Sequence, residues 1–393
     1  MTNYLENRKD SKFFSRPELP YFLIIWSTVL LSALGLTMVL SASTVTSLQE
    51  SGNSYSIFIR QFFFLILGAA AAYWAYKVRG VVWLKIAKVS LTVSVVTLAL
   101  PFVPALGKDI KGNRNWIEFA GFTLQPSEFA KFGLILWSAY HLRNLDLFKD
   151  TKKSLFFLVP GFIIIEFLII LQKDLGTALL VFLIFTGILF AAGAPIKFFI
   201  GSFIPLALIG SALVFSSAYR MDRFAALLDP FDDRYYKFTG WQPAHSIMGL
   251  ASGGLWGSGL GASKQKWANL AEAHTDFIFS VIGEELGLLG SLLVLCLYAA
   301  LIYAIIRVAL KTKDDFSRYV SAAIACWFIA QIAVNIGSAT SLVPVIGVTL
   351  PFISYGGSSL LANLIAVGYV LGVARRTPEI AEGIKANRVR KLS

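Results

Sequence analysis

The densest group of ionisable side chains lies within residues 272–285, directly before and inside a long apolar run. Asp276 is the last polar residue ahead of that run, so its carboxylate is expected at the N-terminal end of a helix. A carboxylate there can accept the proton of a hydroxyl nucleophile, as a general base does. It can equally serve as an N-terminal helix carboxylate that the macrodipole favours.

Two further acidic residues follow Asp276 within the same run. Glu284 lies about 12 Å further along a helix that rises 1.5 Å per residue, about a quarter turn round from Asp276. Glu285 falls on the opposite face. Charged groups inside a membrane are costly, which makes Glu284 a candidate substrate-binding residue. The alternative is that both glutamates form interhelical salt bridges or hydrogen bonds.

A second set of candidate residues begins at residues 125–131, where Pro126 suits the first turn of a helix. Glu128 and Lys131 are three residues apart and share a face, so they can bind substrate together or simply pair with each other. Asp174 lies in a tight polar turn between two apolar runs. It is a candidate substrate-binding residue, with helix capping as the alternative.

Three basic residues can hold an anionic group such as a pyrophosphate. Arg114 lies in a polar segment beside Trp116, and Lys264 and Lys266 end the glycine-rich segment 253–266. Backbone N–H groups of glycines can approach an anion closely, although the spacing is not that of a P-loop. The alternatives are a snorkelling basic loop around Arg114 and a re-entrant or flexible loop at 253–266.

Small and sulfur-containing side chains carry weaker signals. Ser358 lies among small residues that open the last apolar run. Such residues permit close helix packing, and their hydroxyls can bond across helices. Cys296 and Cys326 fall inside apolar runs and are predicted to be buried structural thiols. With only three histidines beside them, the sequence argues against a His/Cys metal site.

The elements that must position these residues are membrane helices. Of the 393 residues 56% are hydrophobic and 15% are charged, against about 25% charged in a soluble domain. Runs of about 17–25 residues, the length that spans a bilayer, lie near 21–43, 57–76, 82–103, 126–142, 154–171, 175–193, 197–217, 277–306, 319–339 and 351–373. The predicted fold is an all-α polytopic membrane protein with about ten transmembrane helices.

The distribution of basic residues predicts the orientation. Lys and Arg concentrate in the tails and in alternate short loops, as the positive-inside rule requires of cytoplasmic segments. Both termini are therefore expected in the cytoplasm, as an N-terminal tail over 1–20 and a basic C-terminal tail over 377–393. The membrane domain covers 21–376, and residues 218–275 form one large extracytoplasmic loop. The net charge of +12 serves anionic headgroups and does not indicate nucleic acid.

Several motifs together resemble one family. Residues 272–279 with 283–287 resemble the signature of the SEDS family (shape, elongation, division and sporulation), as do 125–131, 174–177, 257–261 and 350–359, in the family's order. Three positions depart from its pattern: Ala271 and Lys173 replace usual prolines, and Asn115 separates Arg114 from Trp116. The sequence of residues 272–287 is more similar to the family's division-type members than to its elongation-type members.

The resemblance implies a ten-helix peptidoglycan glycosyltransferase that polymerises lipid II beside a class B penicillin-binding protein, the transpeptidase, and other divisome membrane proteins in the bacterial cell membrane. It makes Asp276 the family's essential extracytoplasmic aspartate and puts Glu128, Lys131 and Glu284 in a central cavity. His274 and Thr275 lie within the same motif and join the substrate-binding candidates. A divalent cation, Mg²⁺ or Mn²⁺, is also implied, and the sequence shows no ligand set for it.

The chemistry implied is one inverting displacement. A sugar hydroxyl attacks the anomeric carbon of a lipid-linked donor, so one carboxylate base suffices, without the second carboxylate of a retaining glycosidase. Cations must stabilise the departing pyrophosphate. A flippase for the same lipid-linked precursor, a non-catalytic scaffold for the transpeptidase, and an elongation-type polymerase remain the alternatives. The sequence shows no internal repeat of the kind many transporters carry, which weighs against transport.

Overall fold

The computed structural model describes residues 16–110, 112–119, 122–145, 151–215, 218–267 and 269–390. Most of these residues are helical. In chain order the helices are α1 (Leu19–Ser51), α2 (Ser56–Lys77), α3 (Gly80–Ala99), α4 (Pro126–Leu142), α5 (Thr151–Leu171), α6 (Leu175–Ala191), α7 (Ile196–Phe215), α8 (Ala218–Leu228), α9 (Asp233–Tyr236), α10 (Trp241–Ser252), α11 (Ile278–Lys311), α12 (Asp315–Ala339), α13 (Gly357–Arg376) and α14 (Pro378–Arg390).

The ten predicted apolar runs coincide with α1–α7 and α11–α13. Six helices are long and apolar enough to cross a membrane, namely α1, α2, α3 with the short 3₁₀ turn that follows it, α11, α12 and α13. Two shorter apolar stretches lie in α5 and α6. The chain is therefore a multi-pass membrane protein. Most of the predicted N-terminal tail lies outside the described residues, and the predicted C-terminal tail is largely the helix α14.

The expectation of an all-α fold needs one correction. Three antiparallel strands, β1 (Gly107–Ile110), β2 (Asn113–Phe119) and β3 (Phe122–Leu124), form a small sheet between α3 and α4. The turn between β1 and β2 is stabilised by residues next to it in the chain. Gly112 has φ +82°, and its N–H donates to Asp109 Oδ1 at 2.9 Å. Glycine adopts this conformation at no steric cost. Strand pairing thus satisfies many of the backbone groups of this polar segment.

The bundle centre is formed by α4, α12 and α13, whose residues are buried on most of their surface. α13 packs along α2, α4 along α3, α11 along α1, and α12 along α6. The contact between α2 and α13 is close, since a Cβ on Gly368 would overlap the carbonyl oxygen of Ala72. Small residues at such crossings let membrane helices approach by their backbones.

Helix α11 is broken near its N-terminal end. Gly287 has φ 68° and ψ −164°, outside the helical region. The backbone groups that the break leaves unpaired bond instead to the segment 254–259, because Leu288 N donates to Gly254 O and Ser258 N donates to Glu284 O, both at 2.9 Å. The predicted large outer loop is therefore partly ordered, with helices α8–α10 followed by a segment inserted into the break.

Candidate active site

Asp276 lies in the connection just before α11 and is partly exposed. Three consecutive carbonyl oxygens of this connection accept hydrogen bonds from other parts of the chain. Tyr355 N donates to His274 O (2.9 Å), Ser354 Oγ to Thr275 O, and Asn335 Nδ2 to Asp276 O (2.9 Å). The backbone beneath the Asp276 carboxylate is thus held from both α12 and the segment that precedes α13.

Local bonds shape the same connection. Glu272 has a positive φ of 58°, and its backbone carbonyl accepts from Thr275 N (3.1 Å) and Phe277 N (3.2 Å). Thr275 Oγ1 donates to Glu272 Oε2 at 2.8 Å, so this hydroxyl is used within the turn. The His274 ring lies 5.7 Å from the ring of Tyr355. His274 and Thr275, which were predicted to bind substrate, therefore both make contacts that hold the turn before Asp276.

The segment between α12 and α13 runs beside Asp276. Gly347 of this segment lies against the Asp276 carboxylate, since a Cβ on Gly347 would lie 3.6 Å from Asp276 Oδ2. Carbonyl oxygens along the segment are held by side chains, with Asn335 Nδ2 on Val348 O (2.6 Å), Gln331 Nε2 on Thr349 O (2.9 Å) and Arg223 Nη1 on Val345 O (2.9 Å). A segment without regular secondary structure is thereby fixed along one side of the site.

Glu128 and Lys131 form a buried cluster deeper in the bundle. Lys131 is fully buried, and its Nζ donates to Glu128 Oε1 at 2.8 Å and to Gln331 Oε1 at 3.2 Å. The same ammonium lies 5.0 Å from the centre of the Trp327 ring, a cation–π geometry. Glu128 Oε2 is buried and has no hydrogen-bond partner among the described residues. One carboxylate oxygen is thus available to a hydroxyl or to water.

A continuous set of contacts links this cluster to Asp276. Gln331 and Asn335 are four residues apart on α12 and so lie on one face of it. Gln331 contacts Lys131 and Thr349, while Asn335 contacts Val348 and Asp276. The structure therefore brings Asp276, Lys131 and Glu128 to the same side of α12. The sequence signal for this face was the pair Gln331 and Asn335, two amide side chains four residues apart in an apolar run. From the sequence only the charged residues were predicted to be functional.

Asp174 organises the junction between the small sheet and the bundle. It caps α6 by accepting from Thr177 N (3.0 Å), and its Oδ2 accepts from Asn115 Nδ2 (2.7 Å) and Gln125 Nε2 (3.0 Å). The Gln125 backbone N–H in turn donates to Ser358 Oγ at 2.9 Å. The structure thus gives Asp174 and Ser358 bonds within the protein, in the capping and packing roles that were the alternatives to substrate binding.

Glu284 and Glu285 accept hydrogen bonds from the segment 263–266. Glu284 accepts from Ser263 Oγ and from the backbone N–H of Lys264 at 2.8 Å. Glu285 forms a buried ion pair with Lys266 at 3.0 Å and accepts from Ser41 Oγ of α1 at 2.7 Å. Several backbone N–H groups of the glycine-rich segment donate to these two carboxylates or to carbonyl oxygens of the broken helix. The sequence had predicted that these N–H groups would bind an anion.

The remaining basic candidates have their side chains at the surface. Lys264 and Arg114 are both exposed. Arg114 lies on β2, and its backbone N–H donates to Gln172 O at 3.2 Å. Its neighbour Asn115, which separates it from Trp116, is buried and bonded to Asp174. The unusual asparagine therefore fixes the strand while leaving the arginine side chain at the surface.

Comparisons with known proteins match the whole membrane region. The family model described as cell cycle protein (FtsW, RodA, SpoVE) matches residues 21–379. The chain is 36% identical over 382 residues to a probable peptidoglycan glycosyltransferase FtsW of Mycobacterium tuberculosis, covering 97% of this chain and 72% of the relative. It is 37% identical over 361 residues to stage V sporulation protein E of Bacillus subtilis, covering 91% and 97%.

Two solved structures are also similar. One belongs to a study of how a peptidoglycan synthase complex coordinates polymerization and crosslinking, with a TM-score of 0.73, 28% identity, and 90% of this chain and 97% of that chain covered. The other is the rod shape determining protein RodA of Thermus thermophilus, with a TM-score of 0.66, 28% identity, and coverage of 90% and 96%.

Proposed function

This chain belongs to the cell cycle protein family that includes FtsW, RodA and SpoVE, and we propose that it is a peptidoglycan glycosyltransferase that polymerises lipid II at the outer face of the cell membrane. Relatives named as peptidoglycan glycosyltransferases match most of the chain. The observation that carries the assignment is the Asp276 turn, where a partly exposed carboxylate rests on a backbone held at three consecutive carbonyls.

We assign Asp276 the role of general base. An acceptor sugar hydroxyl would place its proton on Asp276 as its oxygen attacks the anomeric carbon of the lipid-linked donor. The bond from that carbon to the undecaprenyl pyrophosphate breaks, and the configuration inverts. A positioned base of this kind contributes about 10²–10⁴-fold to rate. The rigid backbone matters because an error of about 1 Å in placement can cost about 10²-fold.

The leaving pyrophosphate needs positive charge. Lys266 is committed to Glu285, and Lys131 to Glu128. The exposed side chains of Arg114 and Lys264 are therefore the better candidates for the phosphates. Glu128, with one buried oxygen unpaired among the described residues, is suited to bind a sugar hydroxyl or an amide.

The divalent cation remains a proposal without a ligand set. Among the described residues no group of three or more His, Cys, Asp or Glu side chains could hold a metal ion. Mg²⁺ commonly keeps several waters and is bound by one or two carboxylates together with substrate phosphates.

Ten spans with both termini in the cytoplasm fit this chemistry. That arrangement places Asp276, the sheet β1–β3 and helices α8–α10 outside, where the sugars of lipid II are polymerised. We further propose a role at the division septum, because the relatives include proteins named FtsW, with elongation as the alternative. A class B penicillin-binding protein is the proposed partner, its single span packing on the leucine-rich lipid face of α11.

The test is polymerisation of labelled lipid II by purified protein, alone and with its partner. Asp276→Asn keeps the size and hydrogen bonding of the side chain but removes the base, so glycan synthesis should fall by about 10²–10⁴-fold. Asp233→Asn is the matched control, because Asp233 is an exposed aspartate of the same outer region. Its activity should be that of the wild type.

The outcomes separate the alternatives. A flippase or a scaffold predicts that the purified wild-type protein makes no glycan at all. Near-normal synthesis by the Asp276→Asn protein would remove Asp276 from the mechanism and make Glu128 the next candidate base. Division and elongation roles separate in cells, where depletion should give filaments in the first case and rounded cells in the second.

A further inference from the structure

The outer loop contains a cavity that the mechanism above does not use. This outer pocket has a volume of about 780 Å³. It lies between α8, the residues on either side of the start of α10, and the segment that leads to α13. Its lining consists of Asp222, Arg223, Leu227, Lys237, Phe238, Thr239, Trp241, Gln242, Pro243, Val343, Pro344 and Val345.

The lining combines flat apolar surfaces with groups that bind hydroxyls. Phe238 and Trp241 supply aromatic rings, and Asp222, Lys237 and Gln242 supply a carboxylate, an ammonium and an amide. Ligand sites typically enclose about 300–1,000 Å³ and pair an apolar wall with a few polar groups. A sugar presents C–H faces and hydroxyls that both donate and accept, and this mixture of side chains matches both.

The outer pocket is close to Asp276. Val345, on its wall, accepts a hydrogen bond from Arg223 at 2.9 Å. Two residues further along the same segment, Gly347 lies against the Asp276 carboxylate. Two residues of chain span at most about 7 Å. A glycan strand whose end reacts at Asp276 can therefore reach the pocket with its neighbouring sugars.

We propose that the outer pocket is a glycan subsite that holds sugars of the growing strand beyond the unit that reacts, an inference that rests on the proposed function. The lipid-linked end of the strand stays at the membrane surface, and the sugars added earlier extend away from it on the side of α8 and α10. A strand bound at two places rebinds at a high effective concentration when one contact opens. The pocket thereby lengthens the product by slowing release between additions.

The test compares product length with the rate of coupling. In the double variant Lys237→Ala with Gln242→Ala, two polar contacts worth about 1.4 kcal/mol together are removed, and mean strand length should fall by about tenfold. The rate of the first coupling between two lipid II molecules should stay that of the wild type. Arg234→Ser is the matched control, since Arg234 is an exposed cation of the same loop that pairs with Asp232 at 2.6 Å and does not line the pocket.

Direct binding gives a second readout. A lipid-free, peptide-free glycan tetrasaccharide should bind the purified full chain, as followed by saturation-transfer NMR, and bind about tenfold more weakly to the double variant. Equal binding and equal strand lengths in variant and wild type would overturn the subsite. So would binding of the free stem peptide in place of the tetrasaccharide. A wild-type protein that makes no glycan would instead refute the proposed function itself.

Discussion

The side-chain amide of Asn335 donates to the backbone carbonyls of both Asp276 (2.9 Å) and Val348 (2.6 Å). Asn335 is almost completely buried near the end of α12. It therefore ties the turn that carries Asp276 to the segment that runs past the carboxylate. This link makes Asn335, an uncharged amide, a positioning residue for the proposed base.

Replacing Asn335 should impair polymerisation without touching the proposed base. Asn335→Ala leaves two carbonyls without their donor and frees the turn to shift, so turnover should fall by about 10²-fold, while the KM for lipid II changes little. Steady-state kinetics with labelled lipid II measure both. Thr340→Ala is the control, because Thr340 Oγ1 donates to carbonyls of its own helix, Ile336 O and Gly337 O. Unchanged turnover in Asn335→Ala would show that the bonds from Ser354 and Tyr355 are enough to hold the turn.

The buried pair of Lys266 and Glu285 should dominate the stability of the outer segment. Removing one member of a buried pair typically costs about 3–5 kcal/mol, because a buried charge is left uncompensated. Glu285→Gln and Lys266→Met should each lower the melting temperature in detergent markedly, and the double variant should recover part of the loss. The exposed pair of Asp315 and Arg318 is the control, since Asp315→Asn should cost about 0–1 kcal/mol.

Gly287 should tolerate no side chain. A Cβ at this position would overlap Gly257 N and Leu255 O, and the positive φ is itself unfavourable for other residues. Gly287→Ala should therefore reduce folded protein in the membrane and displace the segment 254–259. Gly201→Ala in α7 is the matched control, because open space surrounds that position. A Gly287→Ala protein as stable as the control would show that the break is not required.

Topology can be checked with reporter fusions. A fusion at Lys313, between α11 and α12, should read cytoplasmic, and one at Lys237, in the outer loop, should read external. An external signal at Lys313 would contradict the ten-span arrangement and with it the outer position of Asp276.

The helices of this protein were predictable because span length and hydropathy are local properties of the chain. Their orientation remains a prediction from the same kind of local signal. The sheet at 107–124 was missed because its strands are only three to seven residues long and lie in a polar segment between two apolar runs. The break in α11 was missed for a different reason. Gly287 follows two glutamates in an apolar run, and only the distant segment 254–259 makes an interrupted helix stable there.

The charged residues of the candidate site could be predicted from the sequence, whereas its amide residues could not. Asp276, Glu128 and Lys131 stand out because charge is costly in a membrane. Asn335 and Gln331 carry no charge, and their partners lie in other parts of the chain. Lys266 depends on distant partners in the same way. A lysine that follows glycines predicts an anion site, and in the structure its ammonium donates to Glu285 and Ser41, which are 244 residues apart.

The interruption of α11 also constrains how this protein is made. The segment that completes the broken helix precedes α11 in the chain and lies outside the membrane in the proposed topology. It must therefore cross the membrane before α11, the eighth span, can reach its final structure. Until then the span carries unsatisfied backbone groups that lipid cannot accommodate. Biogenesis should thus stall at this helix when residues 254–259 are lengthened by a peptide insertion. The same insertion beside Phe238, whose side chain is exposed, should leave membrane integration intact.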